Sequence, residues 1–66
     1  MKTREQVGDV ILEFRQVGNA VKVSAIDTVS YVEVSIMAPV TCSEREMSDT
    51  ALKKLNYVLA KQQKGK

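Results

Sequence analysis

Three stretches of strictly alternating apolar and polar residues, followed by one long stretch with helical periodicity, fill most of this 66-residue chain. Successive side chains on a strand point to opposite faces, so alternation at period two marks a half-buried strand. Val10, Leu12 and Phe14 share one face of the first stretch, and Ile11, Glu13 and Arg15 share the other. Val21, Val23 and Ala25 oppose Lys22, Ser24 and Ile26 in the second. The third sets Val32, Val34 and Ile36 against Tyr31, Glu33, Ser35 and Met37. The β-branched residues concentrate on one set, which suits a pleated surface packed on one side.

Turn residues fix the register this pattern requires. Gly18-Asn19, between Val17 and Ala20, matches a two-residue type II′ hairpin turn with glycine at its first central position. Counting outward pairs Phe14 with Val23 and Leu12 with Ala25, all on the apolar face. A loop of Asp27 to Ser30 then sets Ala25 opposite Val32 and Val23 opposite Val34, which gives an antiparallel three-stranded meander. Pro39 cannot donate to a ladder and ends the third strand. Ser43-Glu44-Arg45-Glu46 has the spacing of a capping box, so a helix starts there. Met47, Ala51, Leu52, Leu55, Val58 and Leu59 form its apolar stripe. The expected fold is α+β, a β-β-β-α unit with the helix on the inner sheet face. Residues 1–8 form a polar N-terminal segment, 9–62 the single domain, and 63–66 a basic, flexible tail.

A chain this short buries only about 60% of the surface its unfolded form exposes, so a partner subunit would help it. It holds no apolar run of the roughly 20 residues that span a membrane, no internal repeat beyond strand alternation, and no linker. The polar start does not read as a signal peptide. One cysteine, Cys42, allows no intramolecular disulfide and points to the cytoplasm.

The inventory for chemistry is poor. With no histidine, a Ser-His or Cys-His nucleophile and a histidine-bound zinc are excluded within one chain. Glu13 and Glu33 flank Ser24 on the outer sheet face, an arrangement read as solvated cross-strand charge pairing. Cys42 stands just before the helix, where a thiol can ionise easily, but Glu44 and Glu46 oppose that and no resolving cysteine is present. Met47 reads as core packing. No catalytic residue, cofactor or metal ligand is expected, and the chain is not expected to be an enzyme.

Two surfaces remain. Residues 53–66 carry Lys53, Lys54, Lys61, Lys64 and Lys66 without an acid, so the other 52 residues hold −3 of the net +2. These lysines are candidate phosphate contacts, although cations at a helix C-terminus also complement its dipole. On the outer face Ile11, Ile26 and Tyr31 line up across the three strands as a candidate interface, which asks for a second sheet or a pairing of edges.

The run Glu13-Phe14-Arg15-Gln16-Val17-Gly18-Asn19-Ala20-Val21-Lys22-Val23-Ser24-Ala25-Ile26-Asp27, with Glu33-Val34-Ser35-Ile36 and Ala51-Leu52-Lys53-Lys54-Leu55-Asn56-Tyr57-Val58-Leu59, resembles a family of short, uncharacterised bacterial proteins. That resemblance covers most of residues 10–60 and implies a bacterial cytoplasmic protein without naming an activity or a site. The element order is also similar to the last three strands and final helix of double-stranded RNA-binding domains, and to DNA-binding domains that read with a three-stranded sheet. The first would imply lysines where Ser43 to Asp49 stand, the second a basic sheet face where Glu13 and Glu33 offset Arg15 and Lys22. The sequence therefore points to a homodimeric interaction or accessory module with an unknown protein partner. A weak nucleic-acid binder is the second reading and a thiol-dependent enzyme or redox sensor through Cys42 the third.

Overall fold

Two glycine turns of the same design set the sheet. The structure, a computed structural model, describes residues 2–64, with side chains from 3 to 62. Strands β1 (Lys2–Val7), β2 (Val10–Val17), β3 (Ala20–Asp27) and β4 (Glu33–Pro39) form one antiparallel sheet in the order β1-β2-β3-β4, and helix α1 (Glu44–Lys64) follows. Val7 pairs with Val10 across Gly8-Asp9, and Val17 pairs with Ala20 across Gly18-Asn19. Gly8 and Gly18 have φ of 59° and 61°, the left-handed value that a type II′ turn needs at its first central position. A Cβ at either glycine would meet nothing within 4 Å, so backbone conformation rather than space demands glycine. Gln6 Nε2 donates to Gly8 O and Gln16 Nε2 to Gly18 O, each at 3.1 Å. Gln-Val-Gly-Asp and Gln-Val-Gly-Asn are thus one structural unit used twice, a repeat hidden beneath the strand alternation.

The sheet has four strands where the alternation predicts three, and the polar segment of residues 1–8 supplies the fourth. Thr3, Arg4, Glu5 and Gln6 carry no apolar alternation because β1 is an edge strand with little to bury. The backbone ladder to β2 holds it, together with a cross-strand ion pair from Arg4 Nη2 to Glu13 Oε2 at 2.6 Å. The segment extends the sheet sideways and does not fold over the outer face.

The second correction lies at the β3–β4 connection. Phe14↔Val23 and Leu12↔Ala25 pair as the Gly-Asn turn requires, but Ala25 faces Val34 and Val23 faces Ile36, two residues further along β4 than predicted. The loop is longer because it folds around Asp27. The Asp27 carboxylate accepts from Ser30 N (3.0 Å) and Ser30 Oγ (2.6 Å), Tyr31 N donates to Asp27 O, and Asp27 N donates to Val32 O. The two bonds from Ser30 lower the Asp27 pKa, its hydroxyl contributing most, then its N–H. Tyr31 takes the left-handed conformation at φ 64° and leaves the sheet. Thr28 donates through its N–H and its hydroxyl to Asp9 O, tying this loop to the β1–β2 turn. A shift of two residues keeps every side chain on its face, so the inner apolar set survives the change.

Helix α1 starts as the capping box requires: Glu46 N donates to Ser43 Oγ and Ser43 N to Glu46 Oε1, both at 3.1 Å. The helix lies across β3 and β4. Leu12, Val23, Ala25, Ala51 and Leu55 are fully buried, with Phe14, Val21 and Met47 nearly so. Leu52 and Leu59 pack against that core, as do Val10, Val32, Val34, Ile36, Ala38 and Cys42. Each fully buried Leu or Val stabilises by about 1.5–3 kcal/mol. Twenty-one helical residues span about 31 Å, whereas eight strand residues reach only about 27 Å, so the helix is longer than the strands it packs on. Its last turn takes in part of the predicted basic tail: Gln63 and Lys64 are helical, while Gly65 and Lys66 lie outside the described residues.

Candidate functional site

The outer face of the sheet carries residues in four rows across the strands. Ile11 pairs with Ile26, which pairs with Glu33; Glu13 pairs with Ser24 and then Ser35; Arg15 with Lys22 and then Met37; Val17 with Ala20 and then Pro39. No helix covers this face. The candidate row Ile11, Ile26 and Tyr31 is therefore corrected: Ile11 and Ile26 are directly paired and half-buried, but Glu33 takes the third place, and Tyr31 is 82% exposed in the loop. The opposite end of the face carries a second apolar group, with Met37 59% and Val17 52% exposed. That group was legible, since a two-residue turn always leaves its flanking residues paired on one face.

Between the apolar ends lies a shallow concavity of about 190 Å³ lined by Glu13, Arg15, Lys22, Ser24 and Glu33, together with Phe14. Glu13 sits directly opposite Ser24, whereas Glu33 is one row further along, opposite Ile26, so the two acids do not flank the serine symmetrically. Arg15 and Lys22 face each other directly, a like-charge cross-strand pair that works against the sheet. Among the described residues Arg4–Glu13 is the one ion pair, and neither of these two cations enters it.

A second concavity, about 240 Å³, opens between the start of α1 and the inner faces of β1 and β2, lined by Thr3, Phe14, Gln16, Val40, Cys42 and Met47, with Val21 and Glu44 completing it. Cys42 is half-buried here as a free thiol, its N–H donating to Pro39 O. Glu5, on the inner face of β1, meets Glu44 at the first turn of α1. The Glu5 pKa is raised, first because the protonated form can share a hydrogen bond with Glu44, then by partial desolvation and by repulsion between the two charges. This meeting is invisible unless β1 is recognised as a strand. Among the described residues no three His, Cys, Asp or Glu side chains are arranged to hold a metal ion.

Among the described side chains the lysines do not converge. Lys54 Nζ donates to Ser35 O at 2.9 Å, binding the backbone of edge strand β4. Lys61 Nζ stands 5.5 Å from the Tyr57 ring centroid, a cation–π distance. Lys53 is exposed, Lys64 lies in the last helical turn, and Lys66 is outside the described residues.

Residues 7–62 match the family described as a domain of unknown function, DUF6898. The chain belongs to that family. The match begins at the last residue of β1 and runs nearly to the end of α1, so it spans both glycine turns, the outer-face rows of β2 to β4 and all of the cleft at Cys42 but Thr3. No curated protein and no solved structure matches the chain. The DUF6898 description assigns no activity, and no helix among the described residues is long and apolar enough to cross a membrane.

Proposed function

We propose that this DUF6898 chain is a homodimeric interaction or accessory module of a bacterial cytoplasm, not an enzyme, and that the outer sheet face is its working surface. The observation that carries this reading is the uncovered Ile11–Ile26 pair, on a face that the single helix, lying on the other side, has no means to bury. Surface area adds support. The chain exposes 4756 Å², against about 4,200 Å² for a compact monomer of its 7.3 kDa mass. Four strands at their usual spacing offer a face about 19 Å by 27 Å. Stacking two such faces would bury about 1,000 Å² in total, the lower end for a specific interface.

The edges favour face stacking over strand pairing. β1 is lined by Arg4, Glu5 and Gln6, and Lys54 occupies a backbone oxygen of β4, both of which discourage strand addition. Nucleic-acid binding has less support, because Lys54 and Lys61 are engaged within the protomer and the sheet face mixes Glu13 and Glu33 with its cations. The similarity to double-stranded RNA-binding domains extends to element order alone, and the free Cys42 fits a reducing compartment.

Size-exclusion chromatography with light scattering tests the reading. A dimer at micromolar concentration is expected, with a melting temperature that rises with protein concentration, as linked folding and association require. A monomer at every concentration would overturn it.

A further inference from the structure

We propose that the two copies stack outer face to outer face about a two-fold axis lying between the sheets, perpendicular to the strands, and crossing between the Glu13 row and the Arg15 row. Each Glu13 then meets the partner's Arg15. This rests on the homodimer reading above and adds the geometry that reading lacks.

The order of the rows carries the inference. Along β2 the outer face reads Ile11, Glu13, Arg15, Val17, and along β3 in the matching rows it reads Ile26, Ser24, Lys22, Ala20. Both sequences run apolar, then acidic or neutral, then basic, then apolar. A two-fold axis across the strands reverses this order in the second copy and leaves each strand over its own equivalent. Ile11 falls on the partner's Val17, Ile26 on the partner's Ala20, and Ser24 on the partner's Lys22. The charged rows sit nearest the axis, where the offset of about 30° between stacked sheets displaces residues least.

The other aligned two-fold axis runs parallel to the strands and offers no opposite-charge contact across the two central strands. It would place Ile11 on the partner's Ile26, but also Arg15 on the partner's Lys22 and Lys22 on the partner's Arg15. Four cations of the central strands would then meet with no acid beside them, whereas the crosswise axis confines its like-charge contact, Arg4 over the partner's Lys2, to edge strand β1. The crosswise axis instead gives Arg15 the counter-charge it lacks in the protomer. Glu13 can serve both partners, because Arg4 bonds its Oε2 and leaves Oε1 to accept, and its side chain is still 29% exposed.

The test is a pair of charge reversals read as dimer dissociation constants. Glu13→Arg alone and Arg15→Glu alone should each raise the constant by roughly tenfold to a hundredfold, since each variant brings like charges together in its own dimer. Mixing the two variants should restore assembly as a heterodimer near wild-type strength, because one copy then presents two acids where the other presents two bases. Circular dichroism on each variant confirms that the sheet is retained. Arg15→Glu tightening the dimer would select the parallel axis and overturn the proposal, as would failure of the mixture to assemble. In either case a dimeric wild type keeps the homodimer reading intact, whereas a monomeric wild type removes both.

Discussion

The two faces of one sheet share a backbone and differ in almost everything else. The inner face presents Leu12, Val23 and Ala25 to α1, and these side chains are fully buried with Ala51 and Leu55. The outer face places Glu13, Ser24 and Lys22 between them on the same strands, bounded by Ile11 and Ile26 at one end and Val17 and Met37 at the other. The inner pattern is what a meander needs to hold a helix. The outer pattern is neither a uniformly polar solvent face nor a second core, and its ordered rows of charge cost stability in the protomer at the Arg15–Lys22 pair. Folding therefore explains one face, and the proposed association would account for the other.

The largest expected effect lies on the inner face. Leu55→Ala removes the side chain at the centre of the helix stripe and should cost about 2–5 kcal/mol in denaturant unfolding, most of what a chain this small has to spare. A cost below about 1 kcal/mol would mean that the helix does not close this core. Ile26→Glu is the outer-face counterpart. It should leave the fold intact and raise the dimer dissociation constant by roughly a hundredfold or more, because the new carboxylate would be buried without a partner. Loss of folded structure in the isolated protomer would blur the distinction between the faces.

Most of the inner face was legible in the sequence, and the reasons are local. Period-two alternation and Gly18-Asn19 specify β2, β3 and their register together, while Ser43 and Glu46 specify where α1 begins. What escaped depended on residues that bury little. Thr3 to Gln6 show no alternation because an edge strand lives on backbone pairing, although Val7-Gly8-Asp9-Val10 repeats the very turn that revealed the next hairpin. The β4 register escaped because the Asp27 side chain builds the loop, and side-chain hydrogen bonding of that kind leaves no periodic trace. The end of the outer face at Val17 and Ala20 was within reach. The Glu5–Glu44 meeting was not, since it joins the first strand to the helix.

Ser43→Ala sharpens the comparison from the helix side. Losing the hydroxyl that accepts from Glu46 N should cost about 1 kcal/mol, or roughly 4–8 °C in melting temperature, without changing the dimer constant. An equal effect on association would place the helix start at the interface. The smallest effect expected is at Glu5. Its folded pKa lies above the ordinary 4.5, so its contribution is fully present below the unfolded value and is lost as pH rises through the folded one. Glu5→Gln should thus raise stability at neutral pH, with the gain shrinking on acidification towards pH 3. Asp27 works in the opposite sense, its contribution being present above the ordinary 3.8 and lost as pH falls through the lowered folded value. A Glu5→Gln variant with no gain at neutral pH would show that the two carboxylates stay apart.

The most direct measurement follows methyl groups on both faces by NMR with a soluble paramagnetic relaxation agent, from dilute to concentrated protein. The methyls of Ile11, Ile26, Val17 and Met37 should lose solvent relaxation as concentration rises through the dimer dissociation constant, while those of Val29, in the β3–β4 loop, and Val58, on the helix, stay unchanged. Outer-face methyls that keep their full relaxation at every concentration would contradict the claim that this face is where the protein works.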